Sequence, residues 1–131
     1  MIPRMDVNKA FEILRGIRSD EVEERIASEL AGSDCPIGDL AAHATDEKEP
    51  LSLRGALVRT FVLRLETPEN DTCLRVLTSM ARSKNPGVRT AVAAELASLR
   101  QRTDARRILE GLRSDPNPTV SREATDALAA D

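Results

Sequence analysis

Apolar side chains recur along this chain in steps of three and four, the spacing that gives a helix one buried face. Over 7–18 they are Val7, Ala10, Phe11, Leu14 and Ile17, and Asp6 can cap the helix they predict after a short lead at 1–5. Val22, Ile26 and Leu30 predict a second helix over 21–31, with Asp20 and Glu23 as its capping box and Gly32 as its stop. A short helix over 37–45 would use Leu40, Ala41 and Ala44. Pro50 then opens a helix over 51–66 that is apolar almost all round. Leu53, Leu57 and Phe61 form one stripe, and Val58, Val62 and Leu65 form another. A helix of that kind needs cover on two sides, which places it centrally or at an oligomer interface.

Thr67-Pro68 reads as a cap followed by a first-turn proline, leading to a helix over 69–82 with Leu74, Val76, Leu77 and Met80. Asn85-Pro86 opens the next helix, which runs to Leu99 with Val88, Val92 and Leu96 on one face. Thr103 or Asp104 caps a helix carrying Ile108, Leu109 and Leu112, and Asn117-Pro118 opens the last, with Val120, Ala124 and Leu128. No segment alternates at strand period for long enough to compete.

These helices pair into repeats. Ile13-Leu14-Arg15-Gly16-Ile17-Arg18-Ser19-Asp20 matches Ile108-Leu109-Glu110-Gly111-Leu112-Arg113-Ser114-Asp115 at nearly every position, and Val76 to Ser83 fits the same template with Ser79 in place of the glycine. The second helices align through Val22/Ile26/Leu30, Leu53/Leu57/Phe61, Val88/Val92/Leu96 and Val120/Ala124/Leu128. Four units of about 30 to 35 residues result, approximately 6–32, 36–66, 68–100 and 103–131 of a single domain, a period typical of helical solenoids. Gly16 and Gly111 either let a neighbouring helix approach closely or act as simple helix breakers.

Leu-x-x-Leu or Met, then Asn-Pro, then Val-Arg-x-Ala and a distal Leu resembles a HEAT repeat, especially the short bacterial type also seen in phycobilin lyases. The resemblance is clearest over 74–128, on Asn85, Pro86, Val88, Arg89, Ala91, Leu96, Asn117, Pro118, Val120 and Leu128. It implies a right-handed, all-α solenoid of about four antiparallel helical hairpins whose second helices line an inner surface. It also implies a ladder between repeats made by a turn acid and the Arg after the Val, a place that Arg54 and Arg89 fit and that Ser121 vacates in the last unit.

Composition adds limits rather than chemistry. With no Trp or Tyr and only two Phe, the core must be built from Leu, Val, Ile and Ala, which suits closely packed helices. The net charge of -3 is unevenly spread. Residues 1–49 hold twelve acids against six bases, residues 50–113 reverse this with twelve bases against six acids, and residues 114–131 hold four acids against one Arg. No signal peptide opens the sequence and no apolar run is long enough to span a bilayer, so a cytoplasmic location is expected. Cys35 and Cys73, far apart and in no metal-like spacing, read as free thiols of a reducing compartment.

No reaction is legible. His43 is the only histidine, which argues against a metal site or a nucleophile-His arrangement, and the glycines are isolated rather than gathered into a phosphate loop. Acid clusters such as Glu21, Glu23 and Glu24 compensate a helix dipole. No catalytic residue, cofactor or metal is expected.

The Arg-rich middle carries what functional content there is. Arg54, Arg59, Arg64, Arg89, Arg100 and Arg102 form either a basic binding surface or a solvated face with a structural ladder. The leading expectation is a noncatalytic protein-binding scaffold whose partner presents an acidic segment, with salt-sensitive self-association through the uneven charge along the chain. One alternative is an accessory lyase or chaperone-like protein acting on a cofactor-bearing partner, which would need a reactive thiol or acid facing the groove, with Cys73 the nearest candidate. Another is phosphate-backbone binding, disfavoured by the acidic total and the lack of aromatics for base stacking.

Overall fold

The computed structural model describes residues 6–16, 19–33 and 35–129. The expectations for 1–5, for Ile17 and Arg18, and for residues 130 and 131 of the last unit lie outside them. The described residues form α1 (Val7–Gly16), α2 (Asp20–Ala31), α3 (Ile37–Ala44), α4 (Leu51–Leu63), α5 (Asn70–Met80), α6 (Pro86–Leu96), α7 (Thr103–Arg113) and α8 (Pro118–Ala129). Single 3-10 turns, Arg64–Glu66 and Ala97–Leu99, extend α4 and α6, so the predicted ends at 66 and 99 mark the end of helical backbone of both kinds.

Consecutive helices pair as α1/α2, α3/α4, α5/α6 and α7/α8, and the second helices stack in a row, α2 on α4, α4 on α6, α6 on α8. This translational stacking is that of a helical-repeat solenoid. The central helix is α4, which touches α1, α2, α3, α5 and α6. Leu53, Ala56, Leu57, Val58 and Phe61 of α4 are all fully buried, and one continuous core runs from Ala10 and Phe11 to Ala124 and Ala127. Two-sided cover of an all-round apolar helix is therefore met within the chain.

Local chemistry explains most helix starts. The Asp6 carboxylate accepts from the Lys9 amide (3.1 Å) ahead of α1. The Asn85 side chain accepts from the Gly87 amide (2.8 Å), with Pro86 in the first turn. Asn117 repeats the device on the amides of Thr119 and Val120 (2.9 and 3.3 Å).

Three caps differ from the sequence reading. Ser19, not Asp20, caps α2 by accepting from the Val22 amide (3.4 Å), leaving Asp20, Glu21 and Glu23 in the first turn against the helix dipole. Thr67 sits before the cap position of α5, which Glu69 takes; its hydroxyl accepts from the Glu69 amide (3.2 Å) and donates to the Arg64 carbonyl (2.6 Å), so it serves the entry to α5 and closes the 3-10 turn as well. Arg102 occupies the cap position of α7, with no side-chain cap bond.

The glycine reading also changes. A methyl group added at Gly16 or Gly111 would meet nothing within 4 Å, so neither admits a neighbouring helix. Close approach occurs at Gly87, where an added methyl would lie 2.7 Å from Leu51 as the start of α6 passes the start of α4.

Candidate functional site

The six arginines are not gathered on one surface. Arg54 is 1% exposed, donates from Nε to the Ala44 carbonyl (2.9 Å) at the end of α3, and pairs through Nη1 with Glu47 (2.9 Å). Arg64, 3% exposed, donates to the carbonyls of Leu30, Ala31, Ser33 and Cys35 and pairs with Glu69 (3.2 Å). Its guanidinium thus caps the C-terminal end of α2, where the last carbonyls lack helical donors and the dipole favours a cation. These two side chains offer no guanidinium to solvent. Arg89 chelates Asp115 through Nε and Nη2 (2.8 and 3.1 Å) and donates to the Ser83 carbonyl (2.7 Å). Arg59 holds Glu95 across the α4–α6 boundary (2.9 Å), and both are about a quarter exposed. Arg102 pairs with Asp104 (3.0 Å) and Glu66 (3.5 Å). Arg100 lies just beyond the second 3-10 turn and donates to the Ala97 carbonyl (3.2 Å).

Arg54 and Arg89 do run through the turns as a ladder. In the repeat alignment Ser83 stands where Asp115 stands in the last unit, so the turn after α5 has lost its acid. Glu47 supplies one from the preceding turn. It accepts from Arg54, from the Ser83 hydroxyl (2.6 and 2.9 Å) and from the Lys84 amide (3.0 Å). Beyond Asp115 the ladder stops: Ser121, in the Arg place, donates to the Arg113 carbonyl (2.8 Å).

This network has a pH signature. The Ser83 hydroxyl first, then the Lys84 amide and Arg54, hold the Glu47 carboxyl below its ordinary value against a desolvation cost. Arg15 and His43 do the same for Glu49, and Arg102 for Asp104. Burial pushes Asp115 upward, but the Arg89 bonds and charge together with the Asn117 amide outweigh it and leave that carboxyl depressed. Glu23 moves the other way, raised by burial and then by Asp20 and Glu95, with Arg59 opposing.

A carboxyl whose folded pKa is depressed contributes stability present above its unfolded value and lost as pH falls through the folded one. Glu23 has the opposite sign and offsets part of this. The urea midpoint is therefore expected to be flat between about pH 7 and 5.5 and to fall steeply below about pH 4.5. Asp115→Asn should flatten the acid limb, and a midpoint unchanged down to about pH 3 would contradict the ladder's role.

A groove of about 730 Å³ lies along the second helices. Ser52 and Gly55 of α4 and Gly87, Thr90, Ala91 and Ala94 of α6 line it, with the half-exposed Leu51 at one side. Glu23 of α2, Glu123 of α8 and Arg15 of α1 supply its charge. Its walls are small side chains rather than arginines. The signal was present in the sequence as Gly87, Ala91 and Ala94 at helical spacing on the face opposite the buried Val88, Val92 and Leu96. Small residues carry no chemistry of their own, so this spacing does not by itself mark a site.

Neither Cys73 nor His43 lines this groove, whose only acids among the described residues are Glu23 and Glu123. Cys73 is fully buried, and burial, then the Glu69 charge, pushes its thiol up to about 11 despite Arg64. At neutral pH it is a protonated core residue, not the groove-facing nucleophile that an accessory lyase would need. His43 packs its ring edge-on to Phe11 (4.6 Å between centroids) and bonds Glu49 (2.7 Å), which Arg15 also grips (2.9 Å). The cluster fastens α1 to the turn after α3. Among the described residues no three His, Cys, Asp or Glu side chains are grouped to hold a metal ion, and no helix is long and apolar enough to cross a membrane.

Residues 39–129 match the HEAT-repeat family, a span from α3 to α8 that contains the ladder and most of the groove wall. The chain is a HEAT-repeat protein. Arrays of this family generally mediate protein interaction or scaffolding. The matched span starts after the first hairpin, whose turn lacks the proline of the later units. No curated protein and no solved structure matches this HEAT-repeat chain.

Proposed function

We propose that this protein is a noncatalytic binding or scaffold module that holds a segment of a partner protein in the groove along α4 and α6. The observation that carries this is the groove wall itself: Gly55, Gly87, Ala91 and Ala94 keep side chains short, so a partner can come close to two helices at once. A helix or extended segment with modest apolar side chains suits such a wall. Glu23 and Glu123 favour a basic group at the margins, whereas the acidic segment expected from the sequence rested on six arginines sharing one surface. Arg54 and Arg64 serve the fold in this reading, and Arg59 and Arg102 are left to contribute only at the edges.

The test is a bulky residue placed in the groove. Ala94 is exposed, so Ala94→Trp should fold with an unchanged melting temperature while blocking the wall. A protein captured from native lysate by the wild type is expected to fall roughly tenfold in recovery with this variant. Equal recovery would sink the groove reading. Sedimentation of the same pair separates a second copy of the chain from a foreign partner, since self-association through the groove would vanish in the variant.

A further inference from the structure

The first helices do not stack as evenly as the second. α3 packs against α5, but α5 and α7 stand apart over a cleft of about 420 Å³ on the other side of the molecule from the groove. Its floor is Leu74 and Thr78 of α5 and Ala81 at its C-terminal cap, facing Ile108, Gly111 and Leu112 of α7. Leu74, Thr78 and Ala81 follow an i, i+4, i+7 spacing and Ile108, Gly111 and Leu112 an i, i+3, i+4 spacing, so each set lies on one face and the cleft is a channel between helices. Gly111 lines the channel without a side chain, and a methyl group there would meet nothing within 4 Å.

Four charged side chains border the cleft, and they are not equivalent. Asp104 is paired with Arg102, and Asp115 is chelated by Arg89. Arg82 and Arg107 are exposed, and among the described residues neither guanidinium has a hydrogen-bond or ion-pair partner. The acids of the rim are already neutralised and its cations are not. The cleft therefore presents an apolar floor under a positive margin.

We infer that this cleft is a second docking site, which takes an amphipathic helical segment of a partner protein with apolar anchors one turn apart and carboxylates beside them. The anchors cover Leu74, Ile108 and Leu112, and the carboxylates reach Arg82 and Arg107, whose planar forks suit them. This site is independent of the groove along α4 and α6, and its ligand has the opposite charge.

A fluorescein-labelled helical peptide of about 12 residues, roughly 18 Å long, with Leu at i and i+4 and Glu on either side, is the probe. Saturable binding by anisotropy is expected, weakening as salt rises. Arg82→Gln with Arg107→Gln should reduce affinity roughly tenfold or more, and the same peptide with Lys for Glu should bind as weakly. Gly111→Leu fills the channel from an open position while both arginines are retained, and should also abolish binding. Ala94→Trp should leave it unchanged, which keeps this test apart from that of the groove. Absence of saturable binding, full affinity in Gly111→Leu, equal affinity for the lysine peptide, or loss in Ala94→Trp would each overturn the assignment.

Discussion

Arg64→Met is expected to lower the unfolding free energy by about 3–5 kcal/mol, a large share of the roughly 5–15 kcal/mol available to a domain of ordinary stability. The side chain is 3% exposed, and its Nη2 alone is shared among the carbonyls of Leu30 (2.9 Å), Ser33 (3.2 Å) and Cys35 (3.3 Å). Methionine keeps the apolar length of the stem but removes the donor that serves the Ser33 and Cys35 carbonyls at the end of α2, while the Leu30 carbonyl keeps the Ser33 hydroxyl (2.8 Å). A buried acceptor stripped of its partner costs more than the bond itself contributed. Arg64→Lys should recover only part of the loss, about 1–3 kcal/mol remaining, because one ammonium cannot reproduce a planar fork that serves several carbonyls. Urea unfolding followed by circular dichroism measures both variants. A cost under about 1 kcal/mol for the methionine variant would mean that water replaces the guanidinium at the α2 end.

Phe61→Ala should cost a comparable amount, about 3–5 kcal/mol, through lost burial and the cavity left behind. Its wider consequence follows from position. Phe61 is fully buried in α4, the helix against which α1, α2, α3, α5 and α6 all pack. Repeat arrays can open unit by unit when a neighbour interface weakens. A defect at the shared helix should therefore lower amide protection in the hairpins on both sides together. Leu109→Ala, equally buried but in α7, should open only the C-terminal hairpin. Hydrogen exchange resolved by segment distinguishes these outcomes, and wild-type protection of α6 in Phe61→Ala would show that the halves hold independently.

The contrast between the arginines shows where sequence reasoning stops. Arg89 was legible as a ladder residue because it follows the Val of a repeat, and the acid opposite it, Asp115, sits at a matching place in the next turn. Arg54 occupies the same place, but its acid had moved. Ser83 stands where the turn acid belongs, and Glu47 reaches it from another loop 36 residues away. Arg64 left no trace at all. Its partners are mostly backbone carbonyls, which every residue possesses, so no pattern of side chains could announce them. The same holds for the groove and the cleft, whose defining feature is space beside small residues such as Ala91, Ala94 and Gly111.

The order of helices, their capping by Asn85 and Asn117, the central place of α4 and the stacking of second helices were set by the linear sequence. Each depends on apolar spacing and on contacts within a few residues, and such information survives in one dimension. Which arginines are buried, which keep a free charge, and where two helices stand apart were decided only by the packed chain. Those properties depend on distances between segments far apart in sequence and on whether desolvation has been met by a partner, and neither quantity exists until the hairpins have stacked.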